Sequence, residues 1–227
     1  MRTRTFYTEL AYMLGIIGLA LGAACMEKAD FGVSMVIAPA YLVYLKLSQV
    51  WGFVTFGMAE YTLQACLIVA VVIILRKFRL SYLFSFCTAV CYGLSLDGCM
   101  ALIAPISTDS VVTRLVLYTV GLLLCAIGVA MFFHTYITPG AYELFVKQVS
   151  AKMEVDINRF KIGYDAVSCL IAIVLSFLFF GFLHFEGVKW GTVLCALVNG
   201  RLIRLISRWM ETRYTFADRF PIRAYFE

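Results

Sequence analysis

The stretch His134-Thr-Tyr-Ile-Thr-Pro-Gly-Ala-Tyr-Glu143 decides how this chain is read. It separates two long apolar runs with a Pro-Gly pair, several hydroxyls, a histidine and a carboxylate. A comparable break, Glu27-Lys-Ala-Asp-Phe-Gly-Val-Ser-Met-Val-Ile-Ala-Pro39, lies about a hundred residues earlier. Two matched interruptions at such a distance predict a duplicated unit with a broken helix in each half.

Around these breaks the sequence is strongly apolar. Of 227 residues, 63% are hydrophobic and 15% charged, whereas soluble domains are about half apolar and a quarter charged. The expected class is all-α, a polytopic helical membrane protein. The run from Tyr7 to Met26 has the length of a bilayer span and no evident cleavage signal, so it reads as a retained first span. Five more runs follow, over Phe53 to Leu75, Leu80 to Ala104, Val111 to Phe133, Phe160 to Leu183 and Trp190 to Trp209. At about 1.5 Å per residue, each covers a hydrocarbon core about 30 Å thick. Val33 to Leu47 and Gly140 to Met153 are marginal for crossing and read as half-helices or re-entrant segments.

Charge then fixes the topology. If both short stretches enter and leave on one side, Arg2 and Arg4, the Arg76-Lys77-Phe78-Arg79 loop, the Lys147 to Lys161 connection and the Arg-rich tail share one face. The Ile106 to Ser110 turn and the His184 to Lys189 loop share the other face, which is nearly uncharged. The positive-inside rule makes the first face cytoplasmic, with both termini on it. The net charge of +5 belongs to this bias, with Arg201, Arg204, Arg208, Arg213, Arg219 and Arg223 crowding one end, and does not point to nucleic acid.

The repeat is visible in the spans. Gly15, Gly22 and Ala24 recur as Gly121, Gly128 and Ala130 at a shift of 106. Tyr61-x4-Cys66-Leu-Ile recurs as Tyr164-x4-Cys169-Leu-Ile at a shift of 103, and Gly93 matches Gly200 at 107. A unit with three crossings is followed by a copy of opposite orientation, so the halves are expected to be inverted repeats. Secondary transporters commonly bind substrate at the interface of such repeats, beside discontinuous helices. The expected organisation is a first repeat over 1–107 with its broken segment at 27–47, a second over 108–210 with its break at 134–153, and a basic cytoplasmic tail over 211–227.

Ala29-Asp-Phe-Gly-Val-Ser34 followed by a half-helix, with Gly191-Thr-x3-Ala196-x3-Gly200 in the last span, resembles the YczE/YitT family of bacterial integral membrane proteins. The resemblance covers nearly the whole chain and implies a five-to-six-helix protein of the bacterial inner membrane, sometimes proposed to export small molecules. The family commonly places proline directly after its Gly-x-Ser turn. Here Met35 follows and proline waits until Pro39, so a site that is symmetric in relatives is expected to be lopsided.

The candidate site residues follow from the breaks and from ionisable groups inside spans. Ser34 and Thr138 are placed to cap the half-helix ends, either as caps alone or also as ligand contacts; such ends carry free N–H groups and partial positive charge. Glu60 and Asp165, beside the repeated Tyr61 and Tyr164, lie inside spans where a charge costs about 2.5 to 3.5 kcal/mol on insertion scales. They read as a coupling or gating pair, or as interfacial groups hydrogen-bonded to neighbours such as Gln64. Asp97 and Arg204 are repeat equivalents. Arg201 reads as the partner of an anionic substrate or internal carboxylate, or as a cytoplasmic anchor. His134 and Glu143 flank the second break, Asp30 precedes the first half-helix, and Asn199 completes the substrate or coupling-ion candidates. Gly15, Gly18, Gly22, Gly121 and Gly128 are expected to let helices pack closely.

Other chemistry is poorly represented. Cys87 and Cys91 share a helix face without further ligands, and the eight cysteines read as small packing residues. There is no His-Glu-x-x-His, Walker-type loop or Gly-x-Ser-x-Gly elbow. The expectation is therefore no enzyme and no cofactor or metal. The leading reading is a secondary transporter or exporter of a small polar or amphipathic molecule, partnered by the bilayer, with homo-oligomerisation open. The alternative is a membrane regulatory or scaffold protein that moves nothing.

Overall fold

Each long apolar run folds into a helix, and residues outside the runs set its ends. A computed structural model describes residues 4–136, 140–181 and 186–219. Among these, eight helices are bracketed by two short strands: β1 (Arg4–Tyr7), α1 (Thr8–Ala29), α2 (Ala38–Ser48), α3 (Phe56–Leu75), α4 (Leu80–Ile103), α5 (Val111–Phe132), α6 (Ala141–Lys152), α7 (Ile157–Phe180), α8 (Trp190–Arg213) and β2 (Tyr214–Ala217). The Thr55 hydroxyl accepts from Met58 N–H to start α3, and Ser110 does the same for Val112 N–H at α5. α1 ends where Asp30 turns left-handed at φ 58°, and α3 ends where Arg76 does so at φ 52°.

Five helices, α1, α3, α4, α5 and α7, are long and apolar enough to cross a membrane. Their outward faces carry large apolar side chains such as Ile73, Leu102, Ile162 and Leu178, each at least two-thirds exposed. A water-soluble fold would bury such residues, whereas lipid solvates them. α8 has the length of a span, but Arg201, Arg204 and Arg208 stand exposed along its second half.

α1 lies along α5 in the most extensive packing of the molecule; α1 also packs on α4, and α5 on α8. The short helices cross over: α2 packs on α7 and α3, while α6 packs on α3 and α7. Glycine permits the central crossing. A Cβ on Gly22 would stand 2.7 Å from the Gly121 carbonyl oxygen, and one on Gly128 would stand 2.8 Å from that of Gly15. α3 and α4 meet through Gly57 and Gly93, but α7 and α8 barely touch. The core under these contacts includes Ala20, Ala23, Leu42, Phe56 and Leu96.

β1 and β2 pair in parallel, with Arg4 opposite Tyr214 and Tyr7 opposite Ala217. His134, just beyond α5, stacks on Phe216 at 4.2 Å and bonds Ser207 at 2.9 Å, which fastens this ribbon to the bundle.

Candidate functional site

Both short helices have one end at the molecular surface and the other inside the bundle. At the C-terminus of α6, the Lys152 ammonium donates to the Ile74 carbonyl at the end of α3. Its N-terminus lies against Gln64, two turns into α3, whose Oε1 accepts the Ala141 N–H at 3.2 Å. α2 is arranged the same way. Lys46 near its C-terminus donates to the Phe179 carbonyl at the end of α7, while its N-terminal approach, Ser34 to Ile37, faces the interior.

The two inner tips meet at a cavity of about 150 Å³, walled by α1, α3, α4, α5, α7 and α8 as well. Leu19, Met26, Val129 and Phe132 give it apolar sides, and Glu60, Gln64, Tyr92, Tyr142, Glu143 and Asn199 give it polar ones. A second chamber of about 370 Å³ shares Val36, Tyr142, Glu143 and Lys161 with the first. It reaches Asp165, Tyr164, Lys147 and Ile157, at the end of the bundle that holds the Arg76-Lys77-Phe78-Arg79 loop.

Glu60 is the centre of this arrangement and has no exposed surface. Its Oε1 accepts from the Tyr142 hydroxyl at 2.9 Å and from the Gln64 amide at 3.3 Å. Its Oε2 is buried without a partner, as are Asp165 Oδ1 and Asn199 Oδ1. A buried acceptor left in this condition costs on the order of 1–3 kcal/mol, and more when charged. Two of these atoms belong to residues of the first cavity, Glu60 and Asn199, and the third to Asp165 of the second chamber.

The opposite end is closed by polar contacts. Asp30 pairs with Arg114 at 3.0 Å and with the Lys189 ammonium, and Lys189 also reaches Glu186 at 3.5 Å. The Phe31 carbonyl accepts from Gly191 N–H at 2.8 Å, and Val33 N–H donates to the Gly187 carbonyl at 3.1 Å. These bonds tie the first break to the α7–α8 connection.

The sequence candidates divide accordingly. Ser34, Glu60, Glu143 and Asn199 line the inner chamber, and Glu143, Tyr164 and Asp165 the outer one. Asp30 belongs to the closed end. Asp97 supports the start of α3, accepting from Thr55 Oγ1 at 2.7 Å and Gly57 N–H at 2.8 Å. Tyr61 lies against Gly93 between α3 and α4. His134 serves the ribbon, and Arg201 is exposed on α8 away from the cavity.

Ser34 does not cap α2 with its hydroxyl. The helix begins at Ala38, later than expected, and it is the Ser34 carbonyl that accepts the Ile37 and Ala38 N–H groups. Thr138 and Pro139 lie outside the described residues. Gly15, Gly18, Gly22, Gly121 and Gly128 all lie on the α1–α5 crossing.

Gln64, Tyr92, Tyr142 and Lys161 belong to the cavity but were not among the candidates. For Gln64 a signal was present, since it sits one helical turn from Glu60 on the same face. Among the described residues, no three His, Cys, Asp or Glu side chains are arranged to hold a metal ion. The model of a family described as a family of unknown function (DUF6198) matches residues 6–208. No curated protein and no solved structure matches the chain.

Proposed function

We propose, for a chain that belongs to the DUF6198 family and inherits no activity from a described relative, a secondary transporter or exporter that moves a small polar or amphipathic molecule by alternating access. One observation carries this reading: both half-helix tips reach a single cavity, and a fully buried carboxylate, Glu60, presents an unpartnered oxygen there. Broken helices meeting at a midplane cavity are the architecture in which transporters hold their cargo. Irregular backbone at membrane depth is tolerated where it lines such a cavity.

The packing supports an inverted duplication. Gly15 and Gly22 of α1 oppose Gly128 and Gly121 of α5, so each residue faces the repeat equivalent of the other. A two-fold axis in the membrane plane would produce that exchange. The cross-packing of α3 with α6 and of α2 with α7 follows the same symmetry. On this reading α8 is the sixth crossing, and its exposed Trp190 and Trp209 sit at the two interfaces. The arginine-rich face is cytoplasmic, in a bacterial inner membrane. The likeness to the YczE/YitT proteins remains part of the same proposal.

The cavity continues toward the arginine-rich face while the Asp30 cluster closes the other, so this conformation is the inward-facing one. Transport then requires the Asp30 contacts to open as the outer chamber collapses around Lys161 and Asp165. The test is flux into or out of proteoliposomes with a panel of labelled metabolites and drugs. Saturable flux in wild type that falls at least tenfold in Glu60→Gln supports the proposal. Absence of substrate-dependent flux across the panel, with both proteins indistinguishable, removes it.

A further inference from the structure

Ligand chemistry can be read from what the cavity leaves unbonded. Three donors at the half-helix tips are engaged by the protein itself. Ala141 N–H is held by Gln64, Ile37 and Ala38 N–H by the Ser34 carbonyl, and Pro39 has no N–H to offer. An anion would have to displace these bonds. Among the described residues, the buried side-chain atoms without partners are all acceptors: Glu60 Oε2 and Asn199 Oδ1 in the inner chamber, and Asp165 Oδ1 in the outer.

Charge points the same way. The two chambers hold three carboxylates, Glu60, Glu143 and Asp165, against Lys161 and Lys147, and in the inner chamber Glu60 and Glu143 face Lys161 alone. The arginines that would recognise an anion, Arg201, Arg204 and Arg208, stand on the exposed surface of α8. An ionised carboxylate buried as fully as Glu60 requires a matching positive charge or a proton. The carboxylates are not grouped to hold a metal ion, and the rest of the wall is Leu19, Met26, Val129 and Phe132 with the rings of Tyr92 and Tyr142. Such a wall suits an apolar body, and its rings attract a cation.

We infer that this cavity binds an amphipathic organic cation, an ammonium head carried on a small apolar or aromatic body. Glu60 is its anchor in the inner chamber and Asp165 its acceptor on the route to the arginine-rich face. The inference rests on the transport reading for its physiological meaning but makes a claim about binding alone.

The experiment is equilibrium titration of the detergent-solubilised full chain with benzylamine, benzyl alcohol and benzoate, three probes that share one ring and differ in their heads. Saturable binding of benzylammonium is expected, at least tenfold tighter than either of the others. Glu60→Gln is expected to weaken it at least tenfold, and Asp165→Asn a few-fold. The head-group comparison in wild type is independent of whether any variant folds. Benzoate or benzyl alcohol binding as tightly as benzylammonium overturns the inference, as does unchanged affinity in a folded Glu60→Gln protein. Proton flux in vesicles without benzylammonium binding also overturns it and leaves transport standing. Saturable benzylammonium binding without flux upholds the cation site and removes the transporter.

Discussion

The α1–α5 crossing makes a graded prediction, because its glycines differ in how much room surrounds them. A Cβ at Gly22 would lie 2.7 Å from both Gly121 O and Cys125 N, about 0.7 Å inside the 3.4 Å at which ordinary contact begins. Both obstacles are backbone, so neither can rotate away, and the helices must separate. Overpacking of this kind costs about 1–3 kcal/mol. For a chain of this size each kcal/mol moves the melting midpoint by about 2–4 °C, so Gly22→Ala should lower it by about 2–12 °C.

Gly18, one turn earlier on the same face, has its nearest obstacle at 3.6 Å, and Gly98 in α4 has none within 4 Å. There alanine should be neutral or gain about 0.5–1 kcal/mol from reduced backbone entropy in the unfolded chain. The assay is the unfolding midpoint of the purified protein in one detergent, followed by tryptophan fluorescence at a fixed scan rate. Gly128→Ala should fall with Gly22→Ala, and combining Gly22→Ala with Gly121→Ala should cost less than the sum, since one displacement relieves both clashes. If Gly22→Ala melts with Gly18→Ala, the close crossing is wrong and the two-fold argument drawn from it fails.

Three further outcomes are expected. Asp97→Ala removes the acceptor for Thr55 Oγ1 and Gly57 N–H and should cost about 1–3 kcal/mol; a midpoint equal to wild type would show that α3 starts without it. Burial holds the His134 ring below the ordinary histidine value, against the opposing pull of Glu211. The folded state therefore favours the neutral ring, and this contribution is present above about pH 6.5 and is lost as pH falls below it. His134→Gln should flatten that part of the stability profile, and an unchanged slope would refute the assignment. Asp30→Asn keeps a residue tolerant of the left-handed backbone but removes the charge facing Arg114 and Lys189. With the exposed Cys66, Cys87 and Cys91 replaced by serine, it should raise labelling of buried Cys195 by an impermeant maleimide several-fold from the side of the Asp30 cluster, and unaltered labelling would mean that the cluster is not a gate.

Helix positions were legible because length and continuous apolarity express local physics. The two breaks were legible because Pro, Gly and polar residues have few other uses between such runs. Glu60 stood out by its cost in a span, and Gln64 beside it carried the helical spacing that makes them neighbours. Asp97 shows where reading along the chain stops: it too is an ionisable group in a span, yet its task is set by Thr55 and Gly57, forty or more residues away. Arg201 illustrates the same limit, since spacing placed it at a depth but only packing could say that it faces outward. Tyr142 enters the cavity because α6 turns inward, and Lys161 because α7 packs beside it, tertiary results with no local signature. The β1–β2 ribbon joins segments about 210 residues apart, and four-residue strands at the margins of a helical chain announce nothing by themselves.

Parallel strands cannot be joined by a tight turn; they need a crossover, usually one helix. In this molecule all eight described helices together form the crossover of a single two-stranded ribbon. The ribbon ties the start of α1 to the end of α8, so it holds together the two ends of the described chain. Closing so long a ring costs little more entropy than closing one half its length, because the penalty grows only with the logarithm of the loop. A chain shortened before Tyr214 would keep its helices but leave β1 an open edge, able to recruit the corresponding strand of a neighbouring copy.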